Sequence, residues 1–243
     1  MRNQKNRKQA LLIIMTFIFG MLLNSCSSPH IYFPDREWKF SLKSSDRLDT
    51  DTVFFKTYDE SWQITQTKCE WIMFQKRPEG AIVTITTSTG IIDRKENLFM
   101  KEQILFPALT SSTEYFYLTR MIPPPKVYYP ISKGQVIDWE STPHAGWGQL
   151  EGKTARGTIK TGDKIYYSNS AVSDSCWVLD AVGESEYGKF RAKYYFSETY
   201  GFIYFHYDFN DYQIEIVLLD MNFAATDSNS LVPDVSRYLK IKK

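Results

Sequence analysis

His206 and Asp208 stand two apart in FHYDF, a spacing that puts both side chains on one face of a strand, as a metal pair would need. A third ligand is not identifiable near them, so they read as a strand-surface His–Asp pair; His30 and His144 sit in a tether and a loop. Glu184 and Glu186 in GESEYG repeat the spacing, and two carboxyls at the right separation could do glycosidase work. Any exposed strand offers as much, and a solvated face is the competing reading. Gly146, Gly148 and Gly152 form G-x-G-x-x-x-G, one residue longer than the dinucleotide fingerprint and without a strand-to-helix switch, so they read as turn and bulge glycines. Asp46, Asp49 and Asp51 lack the glycine and terminal glutamate of a calcium loop. No catalytic motif, metal site or cofactor is implied. Of the six tryptophans, Trp139 and Trp147 lie among glycines and polar residues, where a ring can stack on a sugar or line an apolar pocket. Trp38, Trp62, Trp71 and Trp177 read as core.

Cysteine is the remaining reactive type. Residues 1–9 carry Arg2, Lys5, Arg7 and Lys8 with no acid, and residues 10–23 are apolar except for Thr16 and Gly20. As a helix this run rises about 21 Å, short of a hydrocarbon core of about 30 Å, which favours a signal sequence over a permanent span. Leu23, Asn24, Ser25 and Cys26 close it and resemble the lipobox of bacterial lipoproteins, although Asn24 departs mildly from the commonest pattern. The resemblance covers residues 1–26. It implies cleavage after Ser25, acylation of Cys26 and a membrane partner held through acyl chains, each methylene contributing about 0.8 kcal/mol. An ordinary signal peptide or an uncleaved anchor is the alternative. Ser27 and Ser28 are not the aspartate that retains such proteins at the inner membrane of enteric bacteria, so an outer-membrane location is expected, its face left open.

Removing residues 1–25 leaves 218 residues with 25 basic and 28 acidic side chains, a net charge of −3. That balance gives no electrostatic footprint for nucleic acid. Cys69 and Cys176 then remain. An oxidising compartment permits a disulfide closing a loop of about 100 residues, worth about 4 to 5 kcal/mol in the chain-entropy model. Two separate buried thiols are the equal alternative.

Positioning these groups falls to strands. Aromatics make up 16% of the chain, with 16 Tyr and 16 Phe, the residues that suit a pleated, half-buried surface. Residues 26–51, with two prolines and mixed charge, read as a lipidated terminus and tether. TVFFKTY at 52, SWQITQ at 61, EWIMFQ at 70 and AIVTITT at 81 read as strands, and a strand pair is expected within 91–122. Pro123, Pro124 and Pro125 form a stiff crossing that could join two halves. Beyond it, GTIKTGDKIYY carries a Gly162–Asp163 turn, CWVLDAVG alternates, and KFRAKYYF, FIYFHYDF and YQIEIVLL are joined by turns at Tyr200–Gly201 and Asn210–Asp211. The Gly183–Gly188 stretch reads as a hairpin end. Residues 224–243 form a tail. Short loops favour antiparallel neighbours, so the expected fold of 52–223 is mainly β with few or no helices: a meander of eight to eleven strands, curved into a half-barrel or a lipocalin-like barrel.

The blocks YYPISKGQVIDW, GWGQLEGK, CWVLDAVGESEYG and YYFSETYGFIYFHYDF resemble small lipoproteins of Bacteroidota-type bacteria over about residues 120–222. That family brings no assigned activity; lipocalin-like barrels and periplasmic lipoprotein carriers enter as fold analogy alone. The leading functional expectation is a non-enzymatic envelope protein holding an apolar or amphipathic ligand, or a protein partner. A glycan-binding surface lipoprotein and a glycosidase with paired carboxylates are the alternatives.

Overall fold

The computed structural model describes residues 31–32, 35–46, 48–58, 66–77, 80–93, 103–105, 121–142, 151–224 and 229–233. The leader, Cys26, His30, Trp62, His144, Gly146, Trp147 and Gly148 lie outside them, as does most of SWQITQ. Among the described residues there are twelve strands and no helix. They are β1 (Glu37–Ser44), β2 (Asp51–Tyr58), β3 (Gln66–Arg77), β4 (Gly80–Asp93), β5 (Gln103–Leu105), β6 (Lys126–Tyr128), β7 (Val136–Ser141), β8 (Ala155–Ser168), β9 (Ser173–Ser185), β10 (Gly188–Ser197), β11 (Gly201–Asp208) and β12 (Gln213–Asn222). Ten build one sheet in the order β4-β3-β2-β1-β12-β11-β10-β9-β8-β7, every neighbour antiparallel, and β5 and β6 form a separate ribbon.

The expected meander is therefore present as two meanders, β1–β4 and β7–β12, fused where β1 pairs with β12. Among the described residues β4 and β7 are the edges and no ladder joins them. Register shifts at Lys39/Phe40, Cys69/Trp71, Thr161/Lys164 and Tyr195/Phe196 bend it, because an extra residue on one strand raises the local twist.

One face carries the core. Alternate residues along β12 (Ile214, Ile216, Leu218), β1 (Trp38, Phe40, Leu42) and β2 (Val53, Phe55) are all buried. Ring contacts run across the strands from Trp38 to Phe55 (5.5 Å), Trp71 (4.9 Å), Phe40 (5.7 Å), Phe205 (5.8 Å) and Tyr194 (6.0 Å). Each such pair contributes about 0.5 to 1.5 kcal/mol beyond its buried area, which gives the high aromatic content a structural role.

Two segments outside the sheet cover this face. Tyr32 accepts the Phe202 amide at 2.7 Å and lies against Gly201, where a Cβ would fall 2.2 Å from the Tyr32 hydroxyl oxygen. The stretch Met121–Tyr129 contributes Ile122, Val127 and Tyr129 to the same core, and Tyr194 donates to the Pro123 carbonyl at 2.8 Å. Gly157 and Gly183 make room for it: a Cβ on Gly183 would meet the Met121 carbonyl oxygen at 2.0 Å, and one on Gly157 the Pro123 ring at 2.7 Å.

Three expectations are corrected, and one open alternative is decided. The stretch read as a tether contains β1, a central strand whose Trp38, Phe40 and Leu42 are core. The prolines are not a link between two bodies, since strands from both sides of Pro123 share one sheet and Pro123 itself lies on it. Gly162 and Asp163 form a bulge inside a continuous β8, not a turn. Of the two readings left open for Cys69 and Cys176, the structure has the separate buried thiols and no disulfide between them. By two-residue alternation Cys69 shares the covered face with Trp71, whereas Cys176 faces opposite to Leu179, which pairs with Tyr194 on the covered side.

Candidate functional site

The β7–β8–β9 end of the sheet carries an open groove of about 600 Å³. Arg156 and Thr158 of β8 and Val182 and Glu184 of β9 share one face by alternation, and Asp138 and Glu140 of β7 extend it to the sheet edge. Trp139 of the edge strand borders the groove, half-buried; its register with Gly157 puts it by the same alternation on the face opposite Asp138 and Glu140. The side chains sharing the groove face are therefore one exposed aliphatic, a hydroxyl, one guanidinium and three carboxylates, with Trp139 at the border. Arg156 Nε holds Glu140 Oε2 at 3.0 Å, and Lys189 lies 3.6 Å from Glu184. Because both pairs are exposed, each contributes at most about 1 kcal/mol, so their partners are exchangeable for a ligand's polar groups.

Of the two tryptophans singled out from the sequence, Trp139 lines this groove and Trp147 lies outside the described residues. Trp38 and Trp71 are core, as expected; Trp177 is only partly buried, its Nε1 donating to Glu198 at 2.9 Å and Lys164 Nζ standing 4.7 Å from its ring centre. The carboxylate pair is separated in role. Glu184 faces Lys189, whereas Glu186 is ion-paired with Lys153, which also donates to Tyr187 and is held above its ordinary value first by Glu186 and then by Tyr187.

His206 and Asp208 share a face, and His206 stands between Lys193 of β10 and Glu215 of β12 in the strand register. That row continues as Lys160, Asp180, Lys193, His206, Glu215 and Lys43, a ladder of polar, titratable side chains across six strands. With Ser45 and Gln213, His206 lines a hollow of about 190 Å³, below the usual range for ligand sites of about 300 to 1,000 Å³. No cluster of three metal-ligating side chains occurs among the described residues.

A second polar group was not legible beforehand. At the far end of β9, burial would raise Asp174 and Glu198, but hydrogen bonds outweigh it and hold both carboxyls below their ordinary range. Ser197 and the Ser175 amide act on Asp174, and Lys164 and Trp177 on Glu198. Cys176 lies beside them, its thiol pushed up to about 12 by burial first and Asp174 second, against Lys164. A thiol so held is neutral at physiological pH and is no nucleophile. The signal for this cluster is the bulge at Thr161/Lys164, which realigns Lys164 toward Trp177 and is invisible as a spacing.

No family model and no curated protein matches the chain. Among solved structures, a Bacteroides fragilis protein with a YmcC-like fold matches at a TM-score of 0.40 and 10% identity, covering 81% of this chain and 100% of that one. The hypothetical lipoprotein YmcC of Escherichia coli matches at 0.35 and 11% identity, covering 86% and 96%. A β-barrel-like domain-of-unknown-function protein of Brucella abortus matches at 0.34 and 8%, covering 77% and 96%. What the groove can do follows from this chain's own residues.

Proposed function

We propose that this is a lipid-anchored cell-envelope protein that binds a saccharide-type ligand in the Trp139 groove without reacting it. Envelope location and anchoring are supported by the leader and by Cys26 at the end of its apolar run. The ligand class is supported by one observation: Asp138, Glu140, Arg156, Thr158 and Glu184 share an open groove of ligand size that the edge-strand residue Trp139 borders. A ring with polar neighbours suits a sugar, whose C–H face stacks while its hydroxyls take hydrogen bonds. An enclosed apolar ligand is less well served, because the protein's own Tyr32, Ile122, Val127 and Tyr129 fill the covered face.

The test is a glycan array probed with the acylated or soluble protein, followed by titration of any hit against Trp139→Ala and Arg156→Ala. Loss of the stacking ring is expected to weaken binding about tenfold or more, taking about 1.5 kcal/mol for an aromatic contact. Binding that survives both substitutions, or an array with no hit, overturns the assignment; release of product from the bound glycan overturns its non-catalytic half.

A further inference from the structure

The expected anchor and the first described residues are close in the chain. Ile31 follows Cys26 so soon that, whatever path the chain takes, the two cannot be more than about 18 Å apart. Ile31 is itself fixed. It is buried, its Cγ2 lies against Gly201, and its carbonyl accepts Arg36 Nη1 at 2.5 Å. The body of the protein is therefore not free to wander on a long leash, because the strand read as tether belongs to the sheet.

We propose that the bilayer carrying acylated Cys26 lies against the end of the sheet marked by Ile31, Tyr200 and Phe223, so that the Trp139 groove opens at the opposite end. The proposal rests on the acylation proposed above and adds the orientation. The rim at that end suits a headgroup layer. Tyr200 and Phe223 stack with centres 6.5 Å apart, the Arg36 guanidinium stands 4.8 Å from the Phe223 ring, and Phe223 is 37% exposed. Tyr166, 75% exposed, belongs to the same end, since it pairs with Ser175 beside the Cys176–Ser197–Gly201 row. Charge on the rim is mixed, with Arg36, Lys56 and Lys164 against Asp35, Glu198 and Asp220. Headgroup attraction therefore does not select this end; the short chain to Cys26 does. The groove is far from it. From Cys176 to Glu184 the strand advances about 26 Å, and Glu184 lines the groove.

Full-length protein purified in its acylated form is placed in phosphatidylethanolamine–phosphatidylglycerol vesicles containing a headgroup spin-labelled lipid. A fluorophore is attached at Tyr166→Cys or, as a second near probe, Phe223→Cys, and at Leu48→Cys in the β1–β2 connection of the far end. Cys69 and Cys176 are buried and stay unlabelled. Quenching several-fold stronger at the two near probes than at Leu48→Cys, unchanged by salt, is the expected result. Equal quenching at both ends, or stronger quenching at Leu48→Cys, overturns the orientation. Vesicle flotation and the mass of the N-terminal peptide report the anchor separately: an unmodified Cys26 removes both proposals, whereas floating protein with equal quenching removes this one alone.

Discussion

Tyr32, Tyr194 and Tyr207 are the side chains on which the covered face turns, because each puts a hydroxyl where water does not reach. Burial is the largest influence on all three and raises them above the ordinary 10.0; the Phe202 amide works against it at Tyr32, and the Tyr194 hydroxyl against it at Tyr207. A group whose folded value is raised binds its proton more tightly in the fold than in the open chain. Its contribution is complete below the unfolded value and is lost as pH rises through and beyond it. Stability is thus expected to hold up to the window of Cys176, between 9.0 and about 12, and of the tyrosines above 10.0, and to fall steeply through it. Tyrosinate absorbance and far-ultraviolet circular dichroism followed together in an alkaline titration check this. Ionisation of the buried tyrosines should accompany loss of the sheet, and their titration near 10 with the sheet intact would contradict the burial argument. Trp139 was visible in the sequence because polar neighbours and a Gly-rich stretch mark a ring that is not core. Arg156 was not, and Glu184 stood out only as a partner of Glu186, since the two meet at the groove only through strand pairing over long sequence separation.

The strands themselves were legible where alternation is strong and turns are marked. β12 shows Ile214, Ile216 and Leu218 on one face, and the hairpins at Gly201 and Asn210, both at positive φ, lie where Tyr200–Gly201 and Asn210–Asp211 pointed. β1 carries the same signal, Trp38, Phe40 and Leu42 against Lys39, Ser41 and Lys43, yet flanking prolines and mixed charge made it resemble a leash. Gly162–Asp163 was misread for a different reason: a turn dipeptide and a bulge use the same residues, and only the partner strand decides between them. What no local pattern conveys is why Gly183 lies in mid-strand. The Met121–Pro123 segment crosses there, and a methyl group would have to displace a backbone carbonyl rather than a side chain. Gly183→Ala is expected to cost about 3 kcal/mol, the upper part of the range for overpacking, by lifting that segment from β9. Gly162→Ala, whose nearest atom would be 3.4 Å away, should cost well under 1 kcal/mol. Urea midpoints of the two variants give the comparison, and similar values would show that the crossing segment yields easily.

The molecule as a whole closes its two meanders with its own ends. β1 lies between β2 and β12, and the C-terminal stretch is clipped back on the same strand, where buried Glu37 accepts Ser230 Oγ at 2.7 Å and the Leu231 amide at 2.6 Å while Lys56 balances its charge at 3.0 Å. Just ahead of β1, Tyr32 fills the space above Gly201 between Trp38 and Phe55, with ring centres 5.1 and 6.1 Å away. The segment that follows the proposed acylation site is thus also part of the core, so under the proposed anchoring fold stability and attachment share residues. Two soluble forms separate these roles. One beginning at Ser27 keeps Ile31 and Tyr32, whereas one beginning at Asp35 loses both and leaves the Phe202 amide without its buried acceptor. The first should unfold like the deacylated full-length protein. The second should be weaker by about 3 to 5 kcal/mol, the cost of removing a large buried ring, and should bind a hydrophobic dye through the uncovered Trp38 and Phe55. Equal denaturation midpoints for the two forms would mean that Tyr32 merely rests on the sheet, and the short, fixed link proposed between bilayer and body would lose its structural basis.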